Sequence, residues 1–68
     1  MKTVSGKELC KLLERKGWEL KRISSSHHIF IMDGRRERIS VPVHGNKDLK
    51  TGLQKALMRI AEIKENEL

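Results

Sequence analysis

The sequence predicts an α+β domain in which a three-stranded antiparallel sheet carries two helices on one face, in the order α-β-β-β-α. Three observations predict it. Apolar residues recur at helical spacing near both ends of the chain. Between those ends they recur with period two, and clusters of Ser, Gly or Asp separate the alternating runs. A helical period gives way to a strand period and then returns, which is the pattern of helices segregated to one side of a sheet.

The first helix is predicted at about residues 6–16. Ser5-Gly6-Lys7-Glu8 has the spacing of a capping box, in which the Ser5 hydroxyl accepts from the Glu8 amide and the Glu8 carboxylate reaches back. Leu9, Leu12 and Leu13 form its apolar face, and Gly17 stands where a left-handed residue would end it. Trp18 to Ile23 then alternates as a half-buried strand, and Ser24-Ser25-Ser26 breaks it as a turn. The run from His27 to Met32 is a second strand, apolar on both faces. Asp33-Gly34 reads as a short hairpin turn, because both residues tolerate positive φ. Ile39, Val41 and Val43 alternate with polar residues as a third strand, and Pro42 confines its own position to an edge or a strand end. After a polar loop at residues 44–48, Thr51-Gly52-Leu53-Gln54 suggests a second capping box. The stripe Leu53, Ala56, Leu57, Ile60, Ala61 predicts the last helix, with Leu53, Leu57 and Ile60 in the core.

Sixty-eight residues make a single domain, residues 1–68, with no room for a cofactor-sized cleft inside its own walls. Any active site must be a shallow surface patch. Fifteen Lys and Arg against nine Asp and Glu give a net charge of +6, which suits a polyanionic partner. A lone Cys10 excludes an internal disulfide framework, and no apolar run reaches membrane-spanning length. With no signal-peptide pattern at the N-terminus, the expected compartment is the cytoplasm, without membrane attachment.

The chain has no Gly-rich phosphate loop, paired-cysteine motif or nucleophile elbow. Its candidate chemistry rests on His27, His28 and His44. Neighbouring strand residues face opposite ways, so His27 and His28 cannot share one metal ion without a local break. Cys10, between leucines, reads as a small hydrophobe. An imidazole on a basic surface suits general acid/base work on RNA, whose 2′-hydroxyl supplies the nucleophile. Spacing alone is equally compatible with three polar rim histidines.

The ordered set Gly17-Trp18, Ser24-Ser25-Ser26-His27-His28-Ile29-Phe30, Ser40-Val41-Pro42-Val43-His44, Lys47-Asp48-Leu49 and Gly52-Leu53 resembles the HicA (YcfA-like) mRNA interferase toxins. The resemblance implies a double-stranded-RNA-binding-domain-like fold of the same α-β-β-β-α order. It implies a metal-independent endoribonuclease of a type II toxin–antitoxin system, acting on messenger RNA and neutralised by a HicB-type antitoxin, with no small-molecule cofactor and no metal. His27 matches the family's catalytic histidine and Ser26 its preceding serine. His28 and His44 match supporting or alternative positions. Lys21, Arg22, Arg36, Arg38 and Lys47 are the expected RNA contacts. Two positions depart from the family: Ser25 stands where it has glycine before Ser-His, and Glu62 where it often has glycine after the last helix. If the first position requires positive φ, Ser25 is strained; without the second glycine, the last helix is expected to run on into the acidic tail. The competing reading is a non-catalytic RNA-binding module of double-stranded-RNA-binding type.

Overall fold

The computed structural model describes residues 1–68. Helix α1 spans Gly6–Arg15, strands β1, β2 and β3 span Glu19–Ser24, His27–Ile31 and Ile39–Pro42, and helix α2 spans Thr51–Ala61. A 3₁₀ turn at Glu65–Glu67 closes the chain. The strands form one antiparallel sheet in the order β1-β2-β3, as the alternation predicts.

The core lies on one face of that sheet. Phe30, Ile39 and Val41 turn inward against Leu9 and Leu13 of α1 and Leu57, Met58 and Ala61 of α2. Both helices pack over β3, and α1 also reaches β1. The cover over β1 is incomplete: Leu20 and Ile23, paired with the inward Phe30 and His28, remain 42% and 56% exposed. A bulge between Leu20 and Arg22 further bends this edge strand.

The ends of α1 follow the sequence. Ser5 and Glu8 form the capping box, and Gly17 leaves the helix with φ +97°. Gly6 has a second role, because a Cβ there would collide with the Pro42 carbonyl oxygen. The start of α1 is thereby pressed against the end of β3.

The phase of α2 differs from the predicted stripe. Its buried residues are Gln54, Leu57, Met58 and Ala61, whereas Leu53 is 38% exposed, Ala56 is exposed and Ile60 is half-buried. Gln54 explains the rotation. Its amide accepts from the Val4 N–H at 3.1 Å and donates to the Lys2 carbonyl at 2.8 Å, so a polar side chain is fully satisfied inside. The second capping box does not form: Lys50 is the N-cap and gives no side-chain bond, and Thr51 is already helical.

Two turns also differ. Asp33 and Gly34 form a hydrogen-bonded turn, Arg35 N–H to Met32 carbonyl at 3.1 Å, but only Gly34 has positive φ. Residues 32–38 then separate β2 from β3, so the turn is part of a longer connection. The last helix stops at Ala61 instead of running on, because Glu62 adopts the left-handed conformation at φ +58°. The tail folds back, burying Ile63 and pairing Glu67 with Lys16 at 2.7 Å.

Candidate active site

His27 is the first residue of β2, one step after the turn at Ser25-Ser26. Ser25 has φ +57°, a conformation that costs a non-glycine residue about 1–2 kcal/mol. The strained position is the one occupied by glycine in the motif described above. The turn is held from the other side by the Val43 N–H donating to the Ser26 carbonyl at 2.8 Å, which extends the β2–β3 ladder beyond the strands proper.

Within the ladder His27 lies between Ser24 of β1 and Pro42 of β3. Directly paired residues share a face, so these three stand on the sheet face that carries no helix, together with Arg22, Ile29 and Ser40. His27 is exposed and its imidazole makes no hydrogen bond within the protein. His28 is half-buried on the opposite face, in register with Ile23 and Val41. The two neighbours therefore work in different surroundings. Ser26 is half-buried, with its carbonyl committed to the ladder.

His44 is exposed just beyond β3, in a turn closed by the Lys47 N–H donating to its carbonyl at 3.0 Å. It shares a groove of about 350 Å³ with Pro42, Lys47, Asp48, Leu49, Lys50 and Leu53. Pro42 thus belongs to this groove and is also the cross-strand partner of His27. Both helices begin at this end of the sheet, α1 against Pro42 and α2 beside the groove. Helix N-termini carry partial positive charge, so this end favours anions. The first turn of α1 is already capped by Ser5 and Glu8, whereas that of α2 has no side-chain cap and no acidic residue.

The five expected RNA contacts are all exposed and none is in an ion pair. They do not gather at one point. Arg22 shares the open face with His27, and Lys47 lies in the groove with His44. Lys21 is at the bulge of β1. Arg36 and Arg38 lie in the connection at the far end of the sheet, about 13 Å or more from His27 at the rise of an extended strand.

Arg35, in the same connection, is occupied. Its guanidinium lies 5.3 Å from the centre of the buried Trp18 ring and bonds Glu37, Glu62 and the Ile60 carbonyl. The pairing with Arg35 holds the Glu37 carboxyl below its ordinary range. Cys10 is buried, and burial, reinforced by the nearby Glu14 carboxylate, pushes its thiol up to about 11. That thiol stays protonated at neutral pH and makes a poor nucleophile. No three His, Cys, Asp or Glu side chains converge as a ligand set, and no helix is long and apolar enough to cross a membrane.

Sequence reasoning passed over Gly6, Lys50 and Leu53. Gly6 was visible only as part of a cap, and Leu53 as a core letter in a helical stripe and the end of the family-like set, with no site role. Nothing in the one-dimensional pattern marks either as bordering the site.

Comparison with curated proteins finds no match. The family described as the HicA toxin of bacterial toxin–antitoxin systems matches residues 6–63, from the glycine that starts α1 to the isoleucine that buries the tail. With both the turn before His27 and the whole sheet inside that span, the chain belongs to the HicA toxin family, whose members are paired with an antitoxin.

Proposed function

We propose that this toxin is an endoribonuclease that cleaves messenger RNA without a metal ion, with His27 as the proton-transferring residue. The observation that carries the reading is the position of His27 at a strained turn. It is exposed on the uncovered sheet face and lies within the HicA family match. Its ring is unengaged by the protein and thus available to a substrate.

The chemistry needs little from so small a protein. His27 takes the proton of a ribose 2′-hydroxyl, the 2′-oxygen attacks the adjacent phosphorus, and the bond to the 5′-oxygen breaks. The leaving 5′-oxygen takes up a proton, for which the exposed His44 is the candidate, and the product is a 2′,3′-cyclic phosphate. Arg22 and Lys47 oppose the developing phosphorane charge. Lys21, Arg36 and Arg38 hold the strand farther out, as screened contacts whose effect weakens with salt. Ser26 acts through the backbone, fixing the turn. His28, on the other face, supports the strand. A HicB-type antitoxin is the partner that would silence the site, and an acidic surface on it would match the net charge of +6.

The test compares wild type with His27→Ala on a defined RNA in the presence of chelator. Wild type should cleave, leaving a 2′,3′-cyclic phosphate, and His27→Ala should bind the RNA while cleaving about 10²–10⁴ times more slowly. A single 2′-deoxy substitution at the cleaved position should abolish the reaction. Undiminished cleavage of that deoxy substrate overturns the mechanism. Full activity in the His27→Ala protein moves the role to His44 or His28, and binding without any cleavage by wild type identifies an RNA-binding module.

A further inference from the structure

The groove between the end of β3 and the first turn of α2 holds, beside His44 and Lys47, two residues that the reaction at His27 does not require, Lys50 and Leu53. Leu53 stays 38% exposed there, off the buried face of α2. It borders the groove with Pro42, His44, Lys47 and Lys50. Neither lysine is in an ion pair. The one carboxylate present, Asp48, accepts a hydrogen bond from the Thr3 hydroxyl at 2.9 Å. A single exposed leucine on a protein surface is ordinary. An exposed leucine and a proline set among unpaired cations offer an apolar contact for a base or ribose and charge for the phosphate beside it. The two sides also meet through one residue, because Pro42 lines the groove and pairs with His27 in the ladder.

We propose that this groove is a nucleotide subsite for the RNA strand, adjoining the phosphate at His27. Leu53 and Pro42 contact one base or its ribose, and Lys50 holds the neighbouring phosphate, with Lys47 between it and the scissile one. The assignment rests on the RNA-cleaving reading for its substrate class, but it locates a binding step separate from the proton transfer.

The test uses the full chain, labelled with ¹⁵N and titrated with adenosine 3′,5′-bisphosphate, which contains no phosphodiester to cleave. The largest amide shifts should fall on His44, Lys47, Lys50, Gly52 and Leu53. Lys50→Gln combined with Leu53→Ser should weaken binding by about tenfold, and Lys50→Gln alone should make binding less sensitive to salt. Both positions are exposed, and an unchanged amide spectrum elsewhere verifies the fold. Inorganic phosphate alone should bind more weakly than the nucleotide, and equal affinity overturns the apolar contact. Shifts confined to other residues, or binding indifferent to the double substitution, overturn the subsite. A protein that shows these shifts but never cleaves RNA keeps the groove and loses the nuclease; one that cleaves without them loses the groove alone.

Discussion

At the Trp18 end of the sheet, Arg35 spans a buried indole, two carboxylates and a helix carbonyl. At the other end His27, His44, Lys47 and Lys50 make no side-chain hydrogen bond or ion pair at all. The first end uses its polar groups on the protein itself. The second leaves them to be satisfied from outside, and it is the end where both helices present their N-termini. In a domain too small for a cleft, separating the two duties by the length of a strand lets the site be strained and exposed without loosening the core.

Paired alanine substitutions should break the symmetry most. Trp18 is 2% exposed, so Trp18→Ala should cost about 3–5 kcal/mol, enough to unfold much of a marginally stable chain in a denaturant or thermal melt. His27→Ala, on an exposed ring, should leave the melt within about 0.5 kcal/mol while removing RNA cleavage. Comparable destabilisation by both would mean that His27 is structural and that the division between the ends is false.

Gly6→Ala tests whether the His27 end is nonetheless positioned by packing. The added methyl meets the Pro42 backbone, which cannot yield as a flexible side chain could. Overpacking of this kind should cost about 1–3 kcal/mol. Because Pro42 is the ladder partner of His27, cleavage at a temperature where the variant remains folded should also fall. Retained activity with lowered stability would show that the strand end shifts without carrying His27 with it.

Arg35→Met probes the other end through pH. Glu37 is held below its ordinary value of 4.5 first by the Arg35 hydrogen bond, then by a backbone hydrogen bond and by the Arg35 charge. A carboxyl depressed on folding stabilises the protein above its unfolded value, and that contribution disappears as pH falls through the lower folded value. Wild type should therefore lose melting temperature on acidification below about pH 4.5, with the Lys16–Glu67 pair adding a parallel loss. Arg35→Met should melt lower at neutral pH, show a shallower acid loss, and cleave RNA as wild type does.

The elements read well from the sequence wherever local chemistry decides them. Ser5, Glu8 and Gly17 specify the ends of α1 by capping and positive φ, and the alternation around Phe30 and Val41 specifies the inner face of the sheet. The phase of α2 was illegible because it depends on Gln54 finding backbone partners fifty residues away, at Val4 and Lys2. Counting apolar letters assigns Leu53 to the core in place of Gln54, and so hides the residue that borders the groove. The site was half legible. Alternation separates the surroundings of His27 and His28, but that Pro42 both pairs with His27 and lines the groove of His44 and Lys47 depends on strand register and on how the chain folds over. The staple at Arg35 was illegible too, since an arginine in a connection is indistinguishable by type from its exposed neighbour Arg36.

The smallest effects come from the two non-glycine residues with positive φ, one at each end: Ser25 and Glu62. Each substitution to glycine removes the clash of Cβ with the backbone. The gain is partly offset by the greater freedom of glycine in the unfolded chain, leaving about 0.5–1 kcal/mol of stabilisation at either site. Glu62→Gly also gives up the ion pair with Arg35, but the Glu62 side chain is 80% exposed and that loss is small. The two variants should thus melt slightly higher by similar amounts. Cleavage should separate them: Ser25→Gly opens the turn that leads into His27 and should raise kcat/KM several-fold, whereas Glu62→Gly, at the far end, should leave it unchanged. Equal stability gains with equal activities would reduce the Ser25 turn to a connection, and the strain there would have no bearing on the site.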